Sequence, residues 1–310
     1  MRRYAHPVDL RRALEARLKS QADETGTDLG RLRRIAAFDR ISARLSVVDH
    51  RWVLKGGTSL EFRLVGRARA TKDLDLALWE GFPNCEALRE ELIETLAIDV
   101  DLDGFVFSVG KPVALDVDTA GRPGWRFSVD CALGGKTFAQ IRLDVVLRGE
   151  ELAATERIML PGVLAFADIP PRMIDSVDRR QHFAEKLHAL ARDYDSRPNT
   201  RVKDLVDLVL LIEDGLPADQ GLIEVVNHVF TVRATHPVPL LIPDPPPAWE
   251  SPTIRRLHAD GLPRAHEPEC NGLPYTVHLC WPLHQAVQLT GKEPEYSGSL
   301  PDQLVVAIGG

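Results

Sequence analysis

Residues 73–79 read Asp-Leu-Asp-Leu-Ala-Leu-Trp, so apolar side chains alternate with acidic or small ones. This period of two is typical of a β-strand that buries one face, and it predicts leucines toward a core with Asp73 and Asp75 on the opposite face. Residues 140–148 have the same design, with Asp144 on the polar face. We therefore expect an α+β fold built on a mixed or antiparallel sheet.

Helical and turn signals surround these two strands. Apolar residues at helical spacing predict helices over residues 8–24, 29–48, 58–64 and 84–97. Further strands are predicted at residues 52–54 and across 104–148, with glycine turns at 121–124 and 134–135. Together these elements form a predicted N-terminal domain over residues 1–170.

The chain changes character after this domain. From about residue 176 the apolar spacing is helical, with three stripes at 183–191, 202–210 and 218–234. Beyond residue 236 proline is frequent, which predicts a mostly irregular tail with short helices near 249–259 and 275–290. Residues 171–310 are therefore expected to form a helical domain with a proline-rich tail.

Composition excludes several classes of protein. The 310 residues are 44% hydrophobic and 27% charged, which is ordinary for a globular chain. No apolar stretch approaches the roughly 18 residues that a bilayer crossing needs, and the first residues lack an apolar signal core. The four cysteines are widely spaced, which excludes a disulfide framework. A cytoplasmic protein without a membrane partner is expected.

Charge is distributed unevenly along the chain. The net charge is −7, yet residues 1–72 carry 17 Lys and Arg against 8 Asp and Glu. A basic segment of this kind is compatible with a polyanionic partner such as RNA, and equally with arginine-rich helices whose charges are solvated. The counts alone do not separate the two.

Asp73 and Asp75 form the first candidate site. On one face of a strand their carboxylates lie roughly 6 Å apart and repel by about 3 kcal/mol unless a cation lies between them. Hard oxygen ligands favour Mg²⁺ or Mn²⁺. The same spacing recurs, for example at Asp101 and Asp103, but only the first pair lies opposite a purely leucine face. An ordinary polar face of an edge strand is the alternative.

A glycine turn precedes this pair. Lys55 is followed by Gly56, Gly57, Thr58 and Ser59, between a predicted strand and a predicted helix. Glycines let the backbone approach a phosphate, the N–H groups of a helix start point toward it, and the two hydroxyls add donors. The spacing matches neither a Walker A loop nor a dinucleotide fingerprint. An ordinary turn is the alternative.

Four further side chains are candidates. Asp144 is a third carboxylate if its strand pairs antiparallel beside the first, although a surface aspartate has the same pattern. Lys186 lies just off the apolar stripe of its helix, where it is able to reach phosphates. Asp204 and Asp207 are predicted on the face opposite Val202, for which an exposed charged face is the alternative.

Four motifs resemble one known family. They are Leu54–Leu60 (LKGGTSL), Arg69–Leu76 (RATKDLDL), Glu185–Leu187 (EKL) and Arg201–Leu208 (RVKDLVDL). In this order they resemble the AbiEii/AbiGii-type toxin nucleotidyltransferases, a branch of the DNA polymerase beta-like superfamily that includes the MenT toxins. The resemblance covers about residues 30–215.

This resemblance implies a polymerase-beta-like N-terminal domain and roles for particular residues. It implies a nucleotide-binding turn at Gly56 and Gly57, metal-binding Asp73 and Asp75, a phosphate-contacting Lys186 and a catalytic Asp204, with Asp144 matching the third carboxylate of the superfamily. The family acts as the toxin half of bacterial type IV or related toxin–antitoxin modules, so a cognate antitoxin is implied. Some members add nucleotides to the 3′ acceptor end of tRNA.

The resulting hypothesis is a Mg²⁺-dependent enzyme that moves a nucleoside monophosphate from an NTP to RNA, above all tRNA, and blocks translation. Transfer to a protein hydroxyl and a catalytically silent NTP-binding module are the alternatives. Thr71, two residues before Asp73, is a candidate regulatory phosphosite, because a phosphate there would add negative charge beside the carboxylates. An unmodified threonine at the start of a strand is the alternative reading of Thr71.

Overall fold

The computed structural model describes residues 4–48, 52–115, 123–194 and 199–239. The chain divides into two compact units, Met1–Glu150 with Thr155–Val177 and Glu151–Ala154 with Asp178–Gly310. The boundary expected at residue 170 precedes the last strand of the first unit. The first two residues of the predicted turn at 121–124 lie outside the described residues, and so do residues 240–310 of the proline-rich tail with its two predicted short helices.

In the first unit the described residues form four α-helices and one sheet. The helices are α1 (Pro7–Thr25), α2 (Leu29–Leu45), α3 (Gly56–Arg63) and α4 (Cys85–Ala97). The strands are β1 (Trp52–Lys55), β2 (Asp73–Leu78), β3 (Phe105–Val109), β4 (Val113–Ala114), β5 (Gly124–Leu133), β6 (Lys136–Leu147), β7 (Thr155–Met159) and β8 (Met173–Val177). A short 3-10 helix, Ala165–Ala167, lies between β7 and β8.

The sheet is mixed, as expected for the predicted α+β fold. Its strand order is β3-β5-β6-β2-β1-β8-β7, with β4 paired to β5. Strand β2 is parallel to β6, and β1 is parallel to β8, while the other pairs are antiparallel. The expectation that the strand of Asp144 runs antiparallel to that of Asp75 is therefore wrong. Strand β6 follows β5 through the predicted Gly134-Gly135 turn, and this hairpin sets its direction.

The leucine face predicted for β2 forms the core of the sheet. Leu74 and Leu76 are fully buried and belong to one cluster with Phe38 of α2 and Leu88 of α4. Each such buried side chain contributes about 1.5–3 kcal/mol relative to exposure. Two helices therefore cover one face of the central strands, and the opposite face keeps the polar side chains.

Helix boundaries follow local chemistry. The side chain of Asp28 accepts a hydrogen bond from the Arg31 backbone N–H, which caps α2, and Asn84 caps α4 in the same way. Helix α3 begins at Gly56, two residues earlier than predicted. Because Gly56 has φ +61°, the chain reverses there and enters the helix directly, so the predicted turn is the helix start itself.

Many basic residues of the first segment are internal. Arg40 and Arg44 of α2 have no exposed surface, and they bind the acidic loop before β3. Arg44 donates to both oxygens of Asp103 at 3.0 and 2.8 Å, and Arg40 donates to Asp101 at 2.9 Å. Arg31, Arg33 and Arg63 likewise pair with acidic residues. Much of the basic charge therefore neutralises the protein itself, so the expectation of merely solvated arginine helices is wrong for these positions.

The second unit contains three helices among the described residues. They are α5 (Arg179–Ala191), α6 (Val202–Glu213) and α7 (Gln220–Arg233), in agreement with the three predicted apolar stripes. Asp178 and Asp219 accept hydrogen bonds from backbone N–H groups and cap α5 and α7. None of the helices in the described part of the chain has the length and apolar character needed to cross a membrane.

Candidate active site

A row of four charged residues crosses the polar face of the sheet. Lys55, the last residue of β1, pairs in register with Asp75 of β2, and Asp75 pairs with Asp144 of β6. Asp144 in turn lies opposite Arg126 of β5. Directly opposed residues on neighbouring strands have their side chains about 5 Å apart. The tertiary structure thus brings two carboxylates together and places a cation at each end of the row.

The glycine turn lies against this row. A Cβ atom added to Gly56 would come within 2.1 Å of Oδ2 and 2.8 Å of Cγ of Asp75. Together with its positive φ, this contact leaves room for no other residue. Strand β1 therefore ends with its backbone against a carboxylate, and the helix that follows begins at the same point. The predicted turn and the predicted carboxylate pair form one site.

The second glycine of the turn contacts the approach to β2. A Cβ atom on Gly57 would lie 2.9 Å from Oγ1 of Thr71. Thr58 Oγ1 donates to the backbone carbonyl of Asp73 at 2.8 Å, and Thr71 Oγ1 donates to the same carbonyl at 3.3 Å. Thr71 is buried, so its phosphorylation requires this packed turn to open, and that modification stays a prediction.

The hydroxyls of the turn are used internally. Thr58 and Ser59 are fully buried. The Oγ atoms of Ser59 and Ser176 lie 2.8 Å apart, and Arg63 Nε donates to Ser59 Oγ at 3.3 Å. These contacts attach α3 to β2 and β8. The predicted nucleotide-binding role of Thr58 and Ser59 stays a prediction, since these internal bonds already engage both hydroxyls.

Two arginines are the counter-ions of the carboxylates. Arg126 binds Asp144 through both of its oxygens, at 2.7 and 2.6 Å. Arg142 Nε lies 2.5 Å from Oδ1 of Asp73, as an ion pair without hydrogen-bond geometry. The hydrogen bonds to Asp144 raise the pKa of the Arg126 guanidinium, and the charges of Asp73 and Asp75 raise it further. Arg126 therefore lies within the field of all three carboxylates.

The donor set fits a divalent cation only in part. Two carboxylates on one strand, open to phosphate oxygens, suit Mg²⁺, which proteins usually hold through one or two carboxylates and the substrate. Asp73 Oδ1 accepts no hydrogen bond, but Arg142 Nε lies 2.5 Å from it, so a metal ion at this oxygen has to displace the arginine. Within the described ranges, however, no group of three His, Cys, Asp or Glu residues is arranged to hold a metal ion. Arg126 binds both oxygens of Asp144, and the joint metal-binding role of Asp73, Asp75 and Asp144 stays a prediction.

The remaining two motifs meet inside the second unit. Lys186 Nζ of α5 lies 2.8 Å from Oδ1 of Asp204 and 2.7 Å from Oδ2 of Asp207, both on α6. Asp207 has no exposed surface and Asp204 is buried. The expectation that these aspartates lie on an exposed charged face is wrong, because the lysine ammonium neutralises them against α5. The structure thus joins motifs that are 18 residues apart.

Sequence reasoning missed the cations of the site. Arg126 and Arg142 were not among the candidates, and Lys55 was noted only as part of the turn. A signal existed for Arg126, because residues 124–133 alternate between apolar residues and Arg126, Ser128 and Asp130. This alternation places Arg126 on a polar strand face. Only the register of β5 against β6 identifies Asp144 as the partner of Arg126.

Comparison with known protein families gives the class of this site. A family model described as "Nucleotidyl transferase AbiEii toxin, Type IV TA system" matches residues 40–277. The matched range holds the glycine turn, the carboxylates and Lys186, and the protein is a nucleotidyltransferase. The chain belongs to the AbiEii family of toxin nucleotidyltransferases from type IV toxin–antitoxin systems.

Other comparisons are more distant. The chain is similar to a solved structure described as an antigenic nucleotidyltransferase-like protein from Paracoccidioides brasiliensis, with 13% sequence identity and a TM-score of 0.36. That similarity covers 65% of this chain and 92% of the other. A search among curated proteins gives no match.

Proposed function

We propose that this protein transfers a nucleoside monophosphate from an NTP to an RNA hydroxyl, above all at the 3′ acceptor end of tRNA, with Mg²⁺ or Mn²⁺ at Asp73 and Asp75. The contact between Gly56 and Asp75 carries this proposal. A backbone that ends against a carboxylate, at the start of a helix, is suited to bring a triphosphate and a divalent cation to the same point. An NTP substrate is consistent with the family.

The proposed reaction is an in-line displacement at phosphorus. The acceptor hydroxyl oxygen bonds to the α-phosphorus, the bond from that phosphorus to the bridging oxygen breaks, pyrophosphate leaves, and the hydroxyl proton passes to solvent. A bound divalent cation would supply charge stabilisation on the phosphate oxygens. The chain itself contributes the fixed carboxylates of Asp73 and Asp75 and the N–H groups at the start of α3.

Two residues of the second unit belong to the proposal through the family resemblance. Lys186 is assigned to phosphate contact and Asp204 to a catalytic role. Their mutual ion pair supports an ordered ammonium, because two carboxylates hold Lys186 Nζ in place. Replacement of Lys186 by Met tests this assignment through the KM for NTP.

The RNA acceptor is supported less directly. Ion pairs within the protein use several arginines of the first segment, and exposed cations such as Lys19 and Lys72 remain for a phosphate backbone. Lys72 is adjacent to Asp73, where an acceptor end has to arrive. A cognate antitoxin protein is the further partner that the family implies.

The experiment is a grid of labelled NTPs against acceptors. Purified protein, Mg²⁺ and each of four labelled NTPs are incubated with tRNA, with other RNA and with a cell lysate. We expect label in tRNA with wild-type protein and none with Asp73→Asn. Asp130→Asn is the matched control, because Asp130 is an exposed aspartate on the same sheet and bonds Gln140. This control is expected to label tRNA like the wild type.

Other outcomes of the grid contradict the proposal. Label in protein bands with unlabelled RNA would identify a protein hydroxyl as the acceptor. Binding of NTP without release of pyrophosphate, under every acceptor condition, would indicate a catalytically silent module. Equal labelling of tRNA by the wild type and by Asp73→Asn would show that the carboxylate pair is not required for transfer.

A further inference from the structure

Three carboxylates lie together on the polar face of the sheet, but they have different counter-ions. Asp144 is bound by Arg126 through two parallel hydrogen bonds, and the Asp144 side chain is 13% exposed. Arg142 Nε lies 2.5 Å from Asp73 Oδ1 without hydrogen-bond geometry, and the Arg142 side chain is 49% exposed against 38% for Arg126. A two-point guanidinium–carboxylate pair is stronger and more rigid than a one-point pair. Because its contact lacks hydrogen-bond geometry, Arg142 should leave Asp73 more readily than Arg126 leaves Asp144.

The register explains why a fixed cation is needed at Asp144. Asp75 and Asp144 are direct partners on parallel strands. Like charges directly opposite one another destabilise a sheet. Arg126 is the next residue in the same row and neutralises the carboxylate that lies farther from the glycine turn. The row therefore has two positive and two negative charges without a metal ion. Of its two carboxylates, Asp75 is the one beside Gly56.

We propose that Arg126 is a positioning residue for Asp144. Because Arg126 binds both oxygens of Asp144, this carboxylate does not coordinate the divalent cation. The cation is then bound by Asp73 and Asp75 alone. This inference rests on the metal site of the proposed function and names its ligands. It also removes Asp144 from any role as a base, because its oxygens stay engaged by the guanidinium. The Arg126–Asp144 ion pair then lines the site and adds no net charge to it.

The test removes each ion pair as a unit, so that net charge does not change. Arg126→Met/Asp144→Asn deletes one pair, and Arg142→Met/Asp73→Asn deletes the matched control pair on the same face. Binding of Mn²⁺ alone, without nucleotide, is measured by electron paramagnetic resonance of the free ion. Thermal melting verifies that each variant is folded. Arg126→Gln/Asp144→Asn retains a hydrogen-bonding pair across the two strands and serves as the second variant if the first does not fold.

The expected results differ between the two pairs. Loss of the Arg126–Asp144 pair should change the Mn²⁺ dissociation constant by no more than about threefold, because a neutral pair is replaced by neutral residues. Loss of the Arg142–Asp73 pair should weaken Mn²⁺ binding by at least about 30-fold, because a ligand is removed. Arg126→Met alone should tighten Mn²⁺ binding, since it frees Asp144.

Two outcomes overturn the inference in distinguishable ways. If loss of the Arg126–Asp144 pair weakens Mn²⁺ binding as much as the control pair does, Asp144 is a ligand and the inference is wrong while the metal site stands. If neither pair affects Mn²⁺ binding, the ion binds elsewhere, and the metal site of the proposed function falls together with the inference. The labelling of RNA is measured separately and is not needed for either conclusion.

Discussion

Two Asp-x-Asp pairs in the first unit have the same spacing and opposite surroundings. Asp73 and Asp75 begin strand β2 on the polar face of the sheet, and the Asp73 side chain is 30% exposed. Asp101 and Asp103 lie in the loop before β3, and Asp103 is fully enclosed. The first pair faces Arg142, which is about half exposed, whereas the second pair is neutralised by buried arginines from α2 and, at Asp101, also by Arg172. The two pairs therefore share the same sequence spacing. Their counter-ions determine which pair has carboxylate oxygens available to bind a ligand.

The physical reason is desolvation. A carboxylate removed from water has to be paired and hydrogen-bonded. Asp103 accepts hydrogen bonds from Arg40, from Arg44 and from the backbone N–H of Phe105. These contacts leave little capacity for a metal ion. A partly exposed carboxylate accepts hydrogen bonds from water, and a metal ion or substrate is able to replace that water. The four predictions below test this contrast between a site pair and a structural pair.

The largest effect is expected at the site pair. Asp75→Asn should reduce nucleotide transfer by at least about 10³-fold, or about 4 kcal/mol of transition-state stabilisation. Its melting temperature should stay near that of the wild type, because the weaker repulsion from Asp144 offsets the lost attraction to Lys55 across the strands. Steady-state labelling and thermal melting measure the two quantities. A large loss of stability with retained nucleotide transfer would show that Asp75 has a structural role and not a catalytic one.

The structural pair should respond in the opposite way. Asp103→Ala leaves Arg44 buried with its main partner removed, and we expect a loss of about 3 kcal/mol in the free energy of unfolding. Urea denaturation measures this change, with Asp130→Ala as a surface control that is expected to cost little. Transfer per folded molecule should be unaffected. A change below about 1 kcal/mol would mean that the buried cluster relaxes without Asp103.

Gly56 tests how closely the backbone approaches the site pair. Gly56→Ala adds a Cβ that overlaps Asp75 and forces alanine into a positive φ, so we expect a loss of about 10- to 100-fold in transfer. Gly66→Ala is the matched control, because Gly66 has φ +80° and nothing within 4 Å of an added Cβ. The control carries the backbone strain without the overlap. Equal activity of the two variants would contradict the contact argument.

The smallest effect concerns acid stability. Burial alone would raise the pKa of Asp103, but the hydrogen bonds and charge of Arg44 outweigh burial and hold this pKa below 3.8. The unfolded chain therefore takes up the proton first as the pH falls. The stabilisation from Asp103 is present above pH 3.8 and is lost as the pH falls through the folded-state pKa.

Asp103→Asn should consequently flatten the acid limb of the stability curve by up to about 1.4 kcal/mol per pH unit. Urea midpoints between pH 5 and roughly pH 3 measure the slope in both proteins. Asp130→Asn is the control and should leave the slope unchanged. An unaltered slope in Asp103→Asn would show that other carboxyl groups dominate acid unfolding.

Several elements were predictable because their signals are local. The alternation at 73–79 predicted strand β2 and its leucine core, and the caps at Asp28 and Asn84 lie at predicted helix starts. The glycine turn was recognised as a site, although it is the first turn of α3. The predictions that failed concern pairing. Neither the parallel direction of β6 nor the burial of Asp207 has a local signature.

The order and spacing of side chains determined which residues are able to share a strand face, where helices begin, and to which family the chain belongs. Tertiary pairing decided the rest. Strand register placed Asp144 between Asp75 and Arg126, and the packing of α2 against the loop before β3 enclosed Asp103 among arginines. The physical reason is that a charge behaves according to its nearest counter-ion and its exposure to water, and both are set by residues distant in the chain.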